Sequence, residues 1–124
     1  MRWEFNNDKP IYAQIMEQMK LFIVSGALRA GQKLASVREL AAEAEVNPNT
    51  MQKALAELER TGLIVTHRTS GRVVTEDEAM IQAIKKDLAK AQIDAFFTSM
   101  EKLGFDKKQT MELLEENEEG EQHE

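Results

Sequence analysis

The short interval between two helix-start signals constrains the fold of this chain more than any other feature. Ser36 and Glu39 form an S-x-x-E pattern, in which a hydroxyl and a carboxylate cap backbone N–H groups at a helix start. Asn47-Pro48 is a second start signal, an N-cap residue followed by Pro at the first helical position. Only three or four residues separate the two predicted helices, and Val46 can fill the corner between them. This spacing is typical of a helix-turn-helix.

The flanking segments extend the motif into a domain. Apolar residues at helical spacing predict a first helix from about Pro10 to Ser25, and the helix that starts at Pro48 reaches about Thr61. Residues 63–66 and 72–75 are β-prone and enclose a turn at residues 68–71, which predicts a hairpin. The predicted fold is mainly α with a small β-hairpin: residues 1–75 form a winged helix-turn-helix domain, followed by a C-terminal helical dimerisation element.

The C-terminal part is predicted to be helical and to mediate dimerisation. A capping pattern at residues 75–78 begins a helix of about 28 residues. This helix carries two apolar stripes, more than a small domain can cover, and Asp106 with Gln109 caps a short further helix. Residues 76–114 are therefore the expected dimerisation region, and residues 115–124 an acidic disordered tail. The residues expected at the dimer interface are Ile81, Ile84, Leu88, Ile93, Phe96, Phe97 and Met100.

The charge of the chain is divided unequally along its length. The whole chain of 124 residues has a formal net charge of −6. Residues 1–75 contain 10 Lys and Arg against 8 Asp and Glu, whereas residues 76–124 contain 6 against 14. Such asymmetry is typical of a chain with one part that faces nucleic acid and one acidic part.

Several functional classes are excluded by what the sequence lacks. The absence of Cys excludes disulfides, thiolate nucleophiles and Cys-ligated zinc. There is no phosphate-binding loop and no catalytic Ser/His/Asp spacing, so an enzyme is not expected, nor is a metal or cofactor. The longest apolar run, residues 21–24, is far too short to span a membrane. A cytoplasmic protein without a membrane segment is predicted.

Five motifs in order give the chain a family resemblance. They are Pro-Ile-Tyr-x-Gln-Ile at residues 10–15, Gly-x-Leu-x-x-Gly at 26–31, Leu-Ala-Ser-x-Arg-x-Leu-Ala at 34–41, Val-Asn-Pro-Asn-Thr at 46–50 and Ala-x-Leu-Glu-x-x-Gly-Leu-Ile at 56–64. The chain resembles the GntR family of bacterial transcription regulators, specifically its small YtrA-like subfamily. It departs from the family pattern at Ala35, where relatives have Pro, and at the hairpin tip, which keeps one glycine of the usual Gly-x-Gly.

Residue chemistry and the resemblance together indicate which residues contact DNA. Arg38 lies in the first turn of its helix, where the helix dipole disfavours a cation, so an anionic partner is expected. Asn49, Gln52 and Lys53 lie in the part of a recognition helix that reaches base edges. The full predicted DNA-binding set is Ser36, Arg38, Asn47, Asn49, Thr50, Gln52, Lys53, Arg68, Thr69, Gly71 and Arg72.

The resemblance implies a sequence-specific regulator, expected to be a repressor, that binds an inverted repeat in double-stranded DNA as a homodimer. The alternative is a winged-helix module that binds another protein and not DNA. Cations on one face would favour DNA, whereas dispersed or ion-paired cations would favour the interaction module. The sequence does not identify a small-molecule effector.

Overall fold

The computed structural model describes residues 1–122. Over these residues it confirms the predicted fold class, mostly helical with one antiparallel hairpin. The chain divides into two compact units, Met1–Lys85 and a second unit that begins at Lys86. The elements, in chain order, are α1 (Ile11–Val24), α2 (Val37–Ala44), α3 (Pro48–Arg60), β1 (Ile64–His67), β2 (Gly71–Val74), α4 (Glu78–Lys102) and α5 (Lys107–Gln122).

The core of the first unit forms around α3, which packs against α1, α2 and β1. Its apolar residues recur at intervals of three and four, so one side of the helix is fully enclosed. Ile15 and Met19 of α1 and Leu40 of α2 are buried in the same cluster. The buried residues of α3 are Met51, Ala54, Leu55 and Leu58.

The residues before α1 are held by a buried amide. Gln14 is only 5% exposed, and its side chain accepts a hydrogen bond from the N–H of Asn6 at 3.0 Å. The same amide donates to the carbonyl oxygens of Asn6 and Lys9, at 2.9 and 2.8 Å. Buried polar groups are costly unless they are hydrogen-bonded, and here the three bonds satisfy Gln14 while they fix the N-terminal segment against α1.

The predicted caps form at both helix starts of the helix-turn-helix. The hydroxyl of Ser36 accepts from the N–H of Glu39, and the carboxylate of Glu39 accepts from the N–H of Ser36. The side chain of Asn47 accepts from the N–H of Asn49 at 2.7 Å. Between the helices, Val46 packs against the core, while Glu45 adopts the left-handed conformation with φ of 58°. The turn therefore depends on a non-glycine residue in a disfavoured conformation.

The hairpin is joined on its open side by the segment before α2. Ile64 pairs with Val74 and His67 with Gly71 in the antiparallel register. On the other side of β2, Lys33 forms a bridge with Val73, and the N–H of Leu34 donates to the carbonyl of Arg72 at 2.9 Å. We call β1, β2 and the turn of residues 68–70 the wing. Its hydrogen bonds to residues 31–34 hold it beside the start of α2.

The start of α4 differs from its sequence-based prediction. Its capping residue is Asp77, whose carboxylate accepts from the N–H of Met80 at 3.1 Å, and Thr75, two residues earlier, is buried. Ile81 is 7% exposed and belongs to the core of the first unit, and Ile84 packs against that core. These two residues were predicted at a dimer interface, but the chain's own core accounts for them. For the same reason the first unit continues to Lys85, past the predicted boundary at residue 75.

The second unit consists of the rest of α4, a turn and α5. Gly104 has a φ of 96° in the turn, and Asp106 and Gln109 cap α5 reciprocally, at 2.9 and 2.8 Å. The predicted disordered tail begins at Glu115, but α5 continues to Gln122 because Glu is a good helix former; residues 123–124 of that tail lie outside the described residues. No helix in the described part of the chain is long and apolar enough to cross a membrane.

The conformation of Glu45 gives the first testable prediction. Glu45→Gly removes the Cβ that disfavours a positive φ, so the free energy of unfolding should rise by about 1 kcal/mol. The matched control is Glu43→Gly, an exposed position inside α2, where glycine should lower the free energy of unfolding by about 1 kcal/mol. Urea denaturation of both variants measures the difference, and a loss of stability in Glu45→Gly would contradict the role assigned to this turn.

Candidate nucleic-acid interface

The side of α3 opposite the core is polar and open to solvent. Its first two turns expose the side chains of Asn49, Gln52 and Lys53, while Thr50 is half-buried. Amides and an ammonium group can donate to base edges or phosphates, and the amides can also accept. Asn47 is exposed, but its side-chain oxygen caps the helix. The N-terminal half of α3 therefore presents the chemistry that the sequence predicts there.

Lys53 is held by an aromatic ring from another helix. Its ammonium nitrogen lies 3.9 Å from the centroid of the Tyr12 ring, within the range of a cation–π contact. Tyr12 is half-buried in α1, so it provides a fixed platform beneath a side chain that remains exposed. The contact orients a long cation that would otherwise sample many rotamers.

Arg72 links the wing to α3. Its guanidinium forms an ion pair with Glu59, and its Nη1 donates to the Oε1 of Gln52 at 3.4 Å. The side chains of Arg72 and Glu59 are 22% and 29% exposed, so the pair is partly shielded from water. The sequence predicts that Arg72 contacts DNA; in the structure its charge is already balanced by Glu59.

A cleft of about 620 Å³ lies between the start of α2 and the turn of the wing. The N-terminus of α2 opens onto it, and a helix N-terminus attracts anions. Predicted site residues from two separate segments, the start of α2 and the wing, meet here. The cleft is lined by Lys33, Leu34, Ala35, Ser36, Val37, Glu39, Thr69, Ser70, Gly71 and Arg72.

Two further predicted cations are exposed near these elements. Arg38 lies in the first turn of α2 and Arg68 at the start of the wing turn. Within residues 1–122 neither side chain forms an ion pair or a hydrogen bond. The four cations thus divide: Arg72 is ion-paired, Lys53 covers a ring, and Arg38 and Arg68 face solvent.

Three residues of this surface were not predicted from the sequence. Lys33 lines the cleft, Tyr12 supports Lys53, and Glu59 binds Arg72. A signal for Glu59 is present: it follows Gln52 by seven residues, about two helical turns, so the two side chains share a face of α3. The contacts of Tyr12 and Lys33 depend on tertiary packing and leave no local pattern.

The second unit carries an apolar surface of its own. Of the predicted dimer residues, Ile93 and Phe96 are 52% and 40% exposed. Leu88, Phe97 and Met100 are half-buried, and Lys107 lies 5.7 Å from the Phe97 ring. The other large apolar side chains exposed in this unit are Leu103, Met111, Leu113 and Leu114.

Comparison with known proteins identifies similar sequences. The family described as bacterial regulatory proteins, gntR family, matches residues 11–74. The chain is 36% identical to the HTH-type transcriptional regulator YhcF of Bacillus subtilis over 117 residues, which cover 94% of this chain and 97% of YhcF. It is 43% identical to the HTH-type transcriptional repressor YtrA of the same organism over 98 residues, which cover 74% and 75% of the two chains.

Solved structures show the same fold. A GntR family transcriptional regulator from Listeria monocytogenes superimposes with a TM-score of 0.80 at 44% identity and covers 90% of this chain and 98% of its own. The structure of AraR(DBD) in complex with operator ORX1 matches with a TM-score of 0.54 at 26% identity, over 60% of this chain and 96% of that chain. The second of these proteins is bound to its operator.

The shielded ion pair predicts a difference between two glutamates of α3. Glu59→Gln removes the charge that balances half-buried Arg72, so the free energy of unfolding should fall by about 1–2 kcal/mol. The matched control is Glu57→Gln, whose partner Arg60 is exposed; Glu57 raises the pKa of Arg60 through a hydrogen bond and its charge, but water screens the pair. Thermal unfolding of both variants tests this, and equal losses would contradict the shielding of Arg72.

Proposed function

Because the chain belongs to the GntR family of bacterial regulatory proteins, we propose that it is a sequence-specific transcriptional repressor. It acts in the cytoplasm and binds an inverted-repeat operator as a homodimer. The observation that carries this proposal is the exposed polar face of α3 beside the cleft at the start of α2. The similarity to YtrA, which is a repressor, and to the operator-bound AraR(DBD) supports it.

The first unit supplies the groups that DNA binding requires. In a helix-turn-helix, the second helix enters the major groove with its N-terminal residues at the base edges. Asn49, Gln52 and Lys53 occupy those positions in α3. The N-terminus of α2 with Arg38, and the wing turn with Arg68, would then meet phosphates on either side.

The second unit supplies the dimer. Among its described side chains only Thr110 is buried, whereas Ile93, Phe96 and four others are exposed apolar groups. An isolated helical segment of this size cannot bury enough apolar surface to be stable alone. A symmetric pair of these units covers that surface, since in a two-fold dimer each patch meets its own copy. We therefore propose the second unit as the dimerisation element.

One observation favours a second candidate, a winged-helix module that binds a protein partner. Arg72, a predicted DNA contact, forms an ion pair with Glu59, as expected for an interaction surface that does not bind a polyanion. Arg38 and Arg68 remain exposed and favour DNA. Selection of bound sequences from random duplexes decides between the two. An enriched inverted repeat supports the repressor, and failure to retain any duplex at 50 mM salt supports the protein-binding module.

Arg38 provides a specific prediction for DNA binding. Arg38→Ala should weaken binding to the selected operator and make the dependence of affinity on salt less steep, because one phosphate contact per subunit is lost. The thermal stability should not change, since the side chain is exposed. The control is Arg29→Ala, an exposed arginine that lines a different cleft with Ile81 and Glu78. Unchanged affinity of Arg38→Ala, measured by fluorescence anisotropy across salt concentrations, would remove Arg38 from the interface.

The dimer gives a further prediction. Replacing both Leu88 and Phe96 by Glu should produce monomers that bind a full operator much more weakly, because two linked sites share a high effective concentration and separate ones do not. The control is Ala83→Glu with Thr98→Glu, two exposed positions that lie outside the sector of α4 occupied by the predicted dimer residues, at 100° per residue. Sedimentation of the wild-type chain as a monomer at micromolar concentration, or of the Leu88/Phe96 variant as a dimer, would refute the dimerisation element.

A further inference from the structure

The hydrogen bond from Arg72 to Gln52 determines which end of the Gln52 amide is available. A guanidinium carries donors only, so the group that faces it must be the carbonyl oxygen and not the amino group. The contact joins Arg72 Nη1 and Gln52 Oε1. With the carbonyl end on the side of the wing, the amino end of Gln52 is left to face a ligand of α3.

From this geometry we infer that Arg72 sets the base preference of Gln52 by holding its amide with the amino group toward the DNA. The inference rests on the proposed DNA-binding function. Gln52 then acts as a donor to the base edge. Arg72 is a specificity-determining residue that contacts Gln52 in place of a base, and this differs from the predicted role of Arg72 as a DNA contact.

The orientation of the Gln52 amide affects base preference because the bases present different donors and acceptors in the major groove. Guanine presents two neighbouring acceptors, N7 and O6, whereas adenine presents one acceptor and one donor. A freely rotating Gln suits adenine because it can accept and donate at once. With its carbonyl oxygen turned toward the wing, Gln52 presents its amino group to the base edge, which suits guanine better and is mismatched with the N4 donor of cytosine.

Glu59 is the positioning residue of this arrangement. It pairs with the Nε of Arg72, while Gln52 takes the Nη1 of the same guanidinium. Glu59 and Gln52 both belong to α3 and lie about two helical turns apart, so two side chains of the same helix bind the guanidinium. The pairing of Thr66 with Arg72 in the hairpin fixes the backbone from the other side. Arg72 is therefore paired with a carboxylate and held close to Gln52.

The test is the base preference in sequences selected from random duplexes by the full-length protein. Comparison of the wild type with Gln52→Ala identifies the base pair that Gln52 reads, because the base preference at that operator position is present in the wild type and disappears in the variant. The wild type should favour guanine there over adenine by about fivefold or more. In Arg72→Met the amide is free to rotate, and the preference should move toward adenine by about the same factor.

Three variants separate orientation from charge and folding. Arg68→Met removes the same charge from the wing without touching Gln52, so it should lower affinity for all sequences equally and leave the preference unchanged. Arg72→Lys keeps a side chain that only donates hydrogen bonds, so this variant should retain the preference for guanine. Glu59→Gln releases Arg72 and should relax the preference partly. Circular dichroism melts establish that each variant is folded at the temperature of selection. If Arg72→Met does not fold, Glu59→Gln keeps the test decisive, because an unchanged base preference in that variant would overturn the inference.

The outcomes are distinguishable from those that test the proposed function. If the wild-type chain retains no duplex, the proposed function fails before the inference is addressed. If it selects an operator but Arg72→Met changes only the affinity, the inference is overturned. A wild-type preference for adenine at the Gln52 position, or no change of preference in Gln52→Ala, would also overturn it. A shift of the base preference toward adenine in Arg72→Met, absent in Arg68→Met and in Arg72→Lys, supports the inference.

Discussion

The enclosure of one side of α3 is the constraint on which the first unit depends. Met51, Leu55 and Leu58 are fully buried against α1, α2 and β1, so the rotation of α3 about its own axis is fixed. Because an α-helix turns by 100° per residue, this burial also fixes which residues face outward. Gln52 and Lys53 are exposed as a consequence of the apolar spacing on the other side. The apolar spacing of α3 thus determines both how the core packs and which of its residues are exposed.

Electrostatics in this acidic chain act locally. The net charge of −6 would repel DNA if it were evenly spread, but the excess of carboxylates lies after residue 75. Within the first unit, Glu59 balances Arg72, while Arg38 and Arg68 have no carboxylate partner among the described residues. The screening length at physiological salt is about 8 Å, so exposed cations respond mainly to their neighbours and not to the distant carboxylates. Local pairing therefore decides which arginines can meet phosphates.

Local signals predict the elements of the first unit, whereas long-range contacts set their limits. The capping pair of Ser36 and Glu39 and the cap at Asn47 form as the sequence predicts, because both depend on residues two or three apart. The cap of α4 was misplaced by two residues, since both Thr75 and Asp77 can cap and the burial of Thr75 favours Asp77. The candidate site divides similarly. Its exposed positions on α3 follow from periodicity, but the partners of Lys53 and Arg72 come from α1 and from two turns along α3, which no nearest-neighbour pattern reveals.

The two units offset the conformational entropy lost on folding in different ways. In the first, apolar burial around α3 offsets the loss of chain entropy. In the second, Thr110 is the one fully buried side chain among those described, and the last part of α5 is rich in glutamates that repel one another at spacings of three and four. Helix propensity and the caps at Asp106 and Gln109 contribute only a few tenths to about 1 kcal/mol each. Such a segment needs an apolar partner to be stably folded, and Ile93 and Phe96 are the side chains that such a partner would cover. In the proposed dimer, association and folding of the second unit are coupled, so that pairing is a condition of its stability and not an addition to it.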